Sequence, residues 1–142
     1  MQDRLPSDAD AVSTTRATVD RFGGTRRPCV RLGDAVDVTD GDIVRLVLDR
    51  TTYHARVHVD ANGPLLRGAY RNRRLARTPG EGENELQTWL ENVGKQPGDA
   101  LEFDEVVAGD LYGLRVPGSR TVYSVSQGPR SSLADIARDL DG

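Results

Sequence analysis

The sequence predicts a mostly-β (α+β) domain, an open barrel of seven to eight short strands with two short helices. Three observations carry that expectation. Turn dipeptides recur at short spacing, at Asp40-Gly41, Asn62-Gly63, Pro97-Gly98 and Pro117-Gly118, and the segments between them alternate apolar and polar residues with the two-residue period of a strand. Only two segments carry a helical period, near Trp89 and near Ile136. Strands therefore follow strands with a helix inserted between two sets of them, which excludes a doubly wound sheet built from crossover helices. At 142 residues the chain has the size of one domain and can bury a sufficient core without disulfides or metals.

Residues 1–15 lack any period and read as a disordered arm, and the single domain is expected over 16–142. Ala17–Phe22 is a strand ended by Gly23-Gly24, and Cys29–Leu32 is a short apolar piece after the basic loop Thr25-Arg26-Arg27-Pro28. Asp42–Asp49 is the clearest strand, with Val44, Leu46 and Leu48 on one face. The short link Asp49-Arg50-Thr51 returns the chain as an antiparallel partner, Thr52–Asp60. There Tyr53, Ala55, Val57 and Val59 are expected to face in, and His54, Arg56, His58 and Asp60 out. Asn62-Gly63 turns into a third strand reaching Tyr70. Asn72–Gly82 reads as a loop with room for one helical turn. Glu83–Val93 is a helix, because Leu86, Trp89, Leu90 and Val93 fall at i, i+3, i+4 and i+7. Strands follow at Ala100–Val106, Leu111–Val116 and Thr121–Ser126. A last amphipathic helix spans 132–140, with Leu133, Ile136, Ala137 and Leu140 on one side.

Composition removes several classes of function. No apolar run is long enough to cross a membrane as a helix, and no charged-then-apolar leader opens the chain, which predicts a cytoplasmic protein with no membrane partner. Cys29 is the single cysteine, so it has no partner for an internal disulfide, and within an apolar strand it reads as a buried, inert thiol. His54 and His58 would stand roughly 13 Å apart along a strand, too far to share one ion. No metal and no cofactor is expected. There is no Gly-x-Ser-x-Gly elbow and no Gly-rich loop ending in Lys-Ser or Lys-Thr. Adjacent acids such as Asp104 and Glu105 point to opposite faces of a strand, which is wrong for shared proton transfer. No catalytic residue is assigned, and the chain is expected not to be an enzyme.

Charge gives the positive lead. The net charge of −3 conceals 18 Arg against one Lys and 16 Asp against 6 Glu. Arginine is the better residue for phosphate and base recognition, because its planar fork bonds two acceptors at once. Arg67, Arg71, Arg73, Arg74 and Arg77 fall within eleven residues that hold no acid, with Tyr70 among them, whereas residues 81–110 carry nine acids. Arg26 and Arg27 form a second cluster. Such segregated charge suits a phosphate backbone gripped by both clusters, with Tyr70 stacking on a base or packing in the core. It equally suits pairing of the basic and acidic segments within one chain, or between subunits of a homodimer that acts as an assembly module. A ligand-binding barrel with a pocket near Tyr112 and Tyr123 ranks last.

The stretch Trp89-Leu90-Glu91-Asn92-Val93-Gly94-Lys95-Gln96-Pro97-Gly98-Asp99-Ala100-Leu101-Glu102-Phe103 is similar to the centre of the DNA-binding pseudobarrel superfamily, which includes the DNA-binding domains of plant transcription factors and the recognition domains of certain restriction endonucleases. A looser likeness extends over residues 42–116. The resemblance implies an open pseudobarrel that grips duplex DNA with two strand-connecting arms, as a transcriptional regulator does. Here the arms are arginine-bearing rather than lysine-rich. The expected nucleic-acid-binding residues are accordingly Arg26, Arg27, Arg67, Tyr70, Arg71, Arg73, Arg74 and Arg77. The preference for Arg and Asp also resembles small proteins of halophilic archaea.

Overall fold

A computed structural model describes residues 4–21, 27–33, 36–78 and 80–125. Nine strands and two helices are formed among them: β1 (Arg4–Pro6), β2 (Ser13–Arg21), β3 (Pro28–Arg31), β4 (Ile43–Leu48), β5 (Thr51–Asp60), β6 (Gly63–Leu66), α1 (Arg73–Arg77), α2 (Glu85–Asn92), β7 (Ala100–Val107), β8 (Leu111–Arg115) and β9 (Val122–Ser124). Seven strands close on themselves in the order β2-β3-β6-β5-β4-β8-β7, and β1 pairs with β9 as a separate ribbon. The barrel is therefore closed, where an open one was expected. Its seam is made by β2, which pairs with β3 through its second half and with β7 through its first. The helix expected at 132–140 lies outside the described residues.

The β4-β5-β6 meander forms as its turns dictate. Asp49 and Arg50 both adopt positive φ, 51° and 69°, the requirement of a type I′ hairpin whose twist matches that of the strands. Inward residues recur every second position: Ala17 and Val19, Val44, Leu46 and Leu48, Ala55 and Val57, Leu101 and Phe103, Tyr112 and Leu114. Phe103 and Tyr112 stack across β7 and β8 with centroids 5.1 Å apart. Helix α2 is capped by Asn84, whose side chain accepts from Leu86 N and Gln87 N, and it packs Leu86, Trp89 and Leu90 into the same core. Val59, expected inside, is 44% exposed; it pairs with Pro64, one step before the end of the hairpin at Asp60 and Gly63.

The sole parallel pair in the barrel, β4 with β8, is held at its start by a buried side chain. Arg45, on the outer side of β4, donates from Nε and Nη2 to the two carboxylate oxygens of Asp110 at 3.1 and 3.0 Å. Arg45 N also donates to Asp110 O.

The amino-terminal residues correct the sequence reading. Residues 4–12, expected as part of a disordered arm, are folded against the barrel wall. Leu5 pairs with Tyr123 in the β1-β9 ribbon, Ser7 N donates to Thr121 O, and Thr121 N donates to Ser7 Oγ. Under the ribbon Val12, Val47, Val106, Leu111 and Tyr123 form a second small core. Segment 4–12 is polar overall and has no period because only a few of its side chains, Leu5 and Val12 among them, meet this core.

Tyr123 is seated directly over Gly113 of β8. A β-carbon at Gly113 would overlap the Tyr123 hydroxyl and stand 2.5 and 2.6 Å from two of its ring carbons. Gly113→Ala is expected to push the ribbon off the barrel and to cost about 1–3 kcal/mol, the usual penalty of overpacking, read as a lower Tm in thermal unfolding. An unchanged Tm would mean that Tyr123 does not occupy this seat.

Candidate nucleic-acid interface

Neighbouring strands place arginines side by side on the outer face of the barrel. The register pairs Val57 with Leu66, so the next residues along, Arg56 of β5 and Arg67 just past β6, stand opposite each other. Val30 also pairs with Leu66, which brings the chain just ahead of β3, with Arg27, alongside Arg67. These three arginines line one cleft of about 190 Å³ together with His58, Tyr70 and Asn84, with Pro28, Gly68 and Ala76 completing its walls. No acid is among its described lining residues.

The polar members of the cleft are held in place. Asn84 Oδ1 accepts from Ala69 N and from the first turn of α2, and Asn84 Nδ2 donates to Arg67 O at 3.1 Å, so one amide ties the Arg67 backbone to the helix. Gly68 makes the arrangement fit: a β-carbon there would meet Tyr70 Oη at 2.8 Å and Asn84 Nδ2 at 2.9 Å. Tyr70 is buried, and its backbone bridges to His54 in both directions. Burial raises the Tyr70 phenol above its ordinary pKa, and the positive charge of Arg27 pulls the other way. Burial lowers the pKa of His58, and Arg67 and Arg56 lower it further against the opposing pull of Asp40. His58 is thus held neutral at pH 7, and its ring can donate one hydrogen bond and accept another. The Arg56 side chain makes no hydrogen bond or ion pair among the described residues.

Of the sequence-expected residues, Arg27, Arg67 and Tyr70 are brought together here, which joins the two basic clusters. Arg26 lies outside the described residues. The others sit on α1 or on its lead-in, and three of them are already engaged within the chain. Arg74 Nη1 pairs with Glu81 Oε1 at 2.6 Å, Arg71 Nε lies 3.7 Å from Glu85 Oε2, and Arg73 Nη1 donates to Ile43 O. Arg77 is exposed in the last turn of the helix. The internal pairing of basic and acidic segments is therefore real for Arg71 and Arg74.

Arg56, His58 and Asn84 were not picked out as site residues. The alternation along β5 already put Arg56 and His58 on the outer face; what it lacked was the neighbour that makes them a site, the chain around Arg27 and Arg67. His54, also outward, is covered, and its Nδ1 is buried with no hydrogen-bond partner. Among the described residues no group of three or more His, Cys, Asp or Glu is placed to hold a metal ion. Cys29 is fully buried, and burial raises its thiol pKa. No helix among the described residues is long and apolar enough to cross a membrane.

A profile described as a family of unknown function, DUF7112, matches residues 1–140. No curated protein and no solved structure matches the chain.

Proposed function

We propose that this chain, which belongs to the DUF7112 family, is a non-enzymatic nucleic-acid-binding domain that holds its ligand by the phosphates, with duplex DNA the first form to test. The observation that carries this reading is the convergence of Arg27, Arg56 and Arg67 on one cleft with no acid among its described lining residues and with Tyr70 in its wall. Guanidinium forks match phosphate oxygens two at a time, and an aromatic wall offers a surface for a sugar or a base. The resemblance of residues 89–103 to DNA-binding pseudobarrels points the same way. The competing reading, an assembly module, is weakened because Arg71 and Arg74 already meet Glu85 and Glu81 within the chain. That leaves less complementary charge to pair between subunits.

The test is fluorescence anisotropy with labelled duplex DNA, single-stranded DNA and RNA over a salt series. Three phosphate contacts predict a log–log slope of about −2 to −3, by the release of nearly one counterion per contact. Absence of binding to all three at low salt would overturn the proposal, as would binding that salt leaves unchanged.

A further inference from the structure

We propose that the cavity beside the β4–β5 turn is a binding site for a small apolar α-amino acid, whose ammonium and carboxylate are held by Asp49 and Arg50. The site is independent of the nucleic-acid reading, because it shares no described lining residue with the basic cleft. The cavity has about 520 Å³ and lies between that turn, the end of α2 and the chain joining β8 to β9, within the roughly 300–1,000 Å³ of small-molecule sites. Asp49 and Arg50 are the two non-glycine residues at positive φ among the described residues, and both line this cavity. Glycine is the preferred second residue of a type I′ turn. Arginine held there at a φ of 69° costs stability that glycine would not. The Arg50 side chain makes no hydrogen bond or ion pair among the described residues to offset that cost. The fold is served better by glycine, so the guanidinium serves something bound beside it.

The charges of the lining decide what that something is. Four charged side chains line the cavity among the described residues, Asp49, Arg50, Arg115 and Arg120. Arg115 is committed to Asp104 and Glu102, and Arg120 pairs with Asp8. Asp49, like Arg50, makes no hydrogen bond or ion pair from its side chain among the described residues. One carboxylate and one guanidinium, on consecutive residues, are therefore open to a ligand. A simple anion would meet the repulsion of Asp49 and a simple cation that of Arg50, whereas a zwitterion satisfies both. The rest of the lining is apolar where Val47, Trp89, Val93 and Leu114 come together. An apolar wall beside a pair of opposite charges fits an α-amino acid with an aliphatic or aromatic side chain.

The experiment titrates L-leucine and L-phenylalanine into the full chain, followed by calorimetry and by the emission of Trp89, the single tryptophan of the sequence. Saturable heat with a matching change in Trp89 emission is expected for both. Isocaproate, which is leucine without its ammonium, and isoamylamine, which is leucine without its carboxylate, should each bind at least about tenfold more weakly, the loss of one charge-assisted hydrogen bond. Arg50→Gly and Asp49→Asn give the turn residues that it prefers. Each should keep or raise Tm while weakening leucine binding about tenfold or more, so loss of binding is not loss of the fold. Isocaproate or isoamylamine binding as tightly as leucine would overturn the zwitterion and with it the proposal. Saturable heat that leaves Trp89 emission unmoved would place the amino acid elsewhere and overturn the cavity. A lower Tm in Arg50→Gly would show that the arginine serves the turn itself and would overturn its assignment to a ligand. Neither heat nor a change in emission with either amino acid would overturn the proposal outright, and none of these outcomes bears on the basic cleft.

Discussion

Asp104→Asn is expected to destabilise the fold by about 3–5 kcal/mol, the cost of removing one partner from a buried charged pair, and to lower Tm by on the order of 10–15 °C for a chain of this size. Asp104 lies on β7 opposite Gly113 and is fully buried. Its two oxygens accept every donor that reaches them. Thr14 Oγ1 donates to Oδ1 at 2.6 Å, Arg115 Nε to Oδ2 at 2.7 Å, Arg115 Nη2 to Oδ1 at 3.1 Å, and Tyr123 Oη to Oδ2 at 2.5 Å. One carboxylate thus joins β2, β8 and the β1-β9 ribbon to β7. An amide in its place turns one acceptor into a donor facing Arg115 or Tyr123 and leaves the guanidinium without its buried counter-charge. Glu102, the other carboxylate on Arg115, is a third exposed and makes one contact, to Nη1, so it replaces little of what is lost.

A control sharpens this expectation. Arg120 and Asp8 also pair, at 3.2 Å, with side chains 59% and 69% exposed. Exposed pairs of that kind contribute between nothing and about 1 kcal/mol. Asp8→Asn should therefore leave chemical denaturation nearly unchanged while Asp104→Asn moves its midpoint far to lower denaturant. Equal effects from the two substitutions would show that burial of Asp104 is not what gives it weight. The state of Tyr123 fits the same network: burial, and next the bond to Asp104, raise its phenol pKa far above the ordinary range. Both causes favour the protonated phenol, the form that donates to Asp104.

Asp104 also marks where the sequence stops being legible. The alternation of β7 places Leu101 and Phe103 inside and puts Asp104 on the outer face, which is correct. Outer face means solvent only when nothing returns to cover it. The covering ribbon comes from residues 4–6 and 122–124, more than a hundred positions apart, and no local period encodes that pairing. For the same reason the amino-terminal segment reads as disordered. The meander, the capped helix α2 and the turn positions were readable because each depends on residues within a few positions of one another. Closure of the barrel was not, because it rests on β2 meeting β7 and on β4 lying parallel to β8. The basic cleft falls between the two cases. Its arginines were visible as clusters, and half of the eventual site was named. Arg56 gives no signal of its own, because a lone arginine between two histidines on an outward face is ordinary until Arg67 is set beside it.

The substitution Arg27→Gln, Arg56→Gln, Arg67→Gln is expected to flatten the salt dependence of nucleic-acid binding by about 2–3 units of log–log slope, close to one unit per phosphate contact removed. Affinity at low salt should fall by about three orders of magnitude, since each of the three charge-assisted contacts is worth at least roughly 1.5 kcal/mol. The informative comparison is a second triple, Arg71→Gln, Arg73→Gln, Arg74→Gln, which removes the same formal charge from the same side of the sequence. If total charge governed binding, the two would behave alike. The structure separates them by place: the first three line one cleft, and the second three stand on α1 or its lead-in. Arg74 is neutralised by Glu81 and Arg71 stands near Glu85, and Arg73 donates to a backbone carbonyl, so the second triple takes away charge that is already partly compensated. Its slope should change by less than about one unit. Identical slopes for the two triples would move the interface from the cleft to the general field of the basic face, and a larger change in the second would place it on α1. Neutral glutamine keeps the length and hydrogen-bonding ends of the side chains, and both triples lie on the outside of the barrel, away from the Val30, Val57 and Leu66 core. Loss of slope with retained thermal stability is therefore attributable to the ligand contacts and not to the fold.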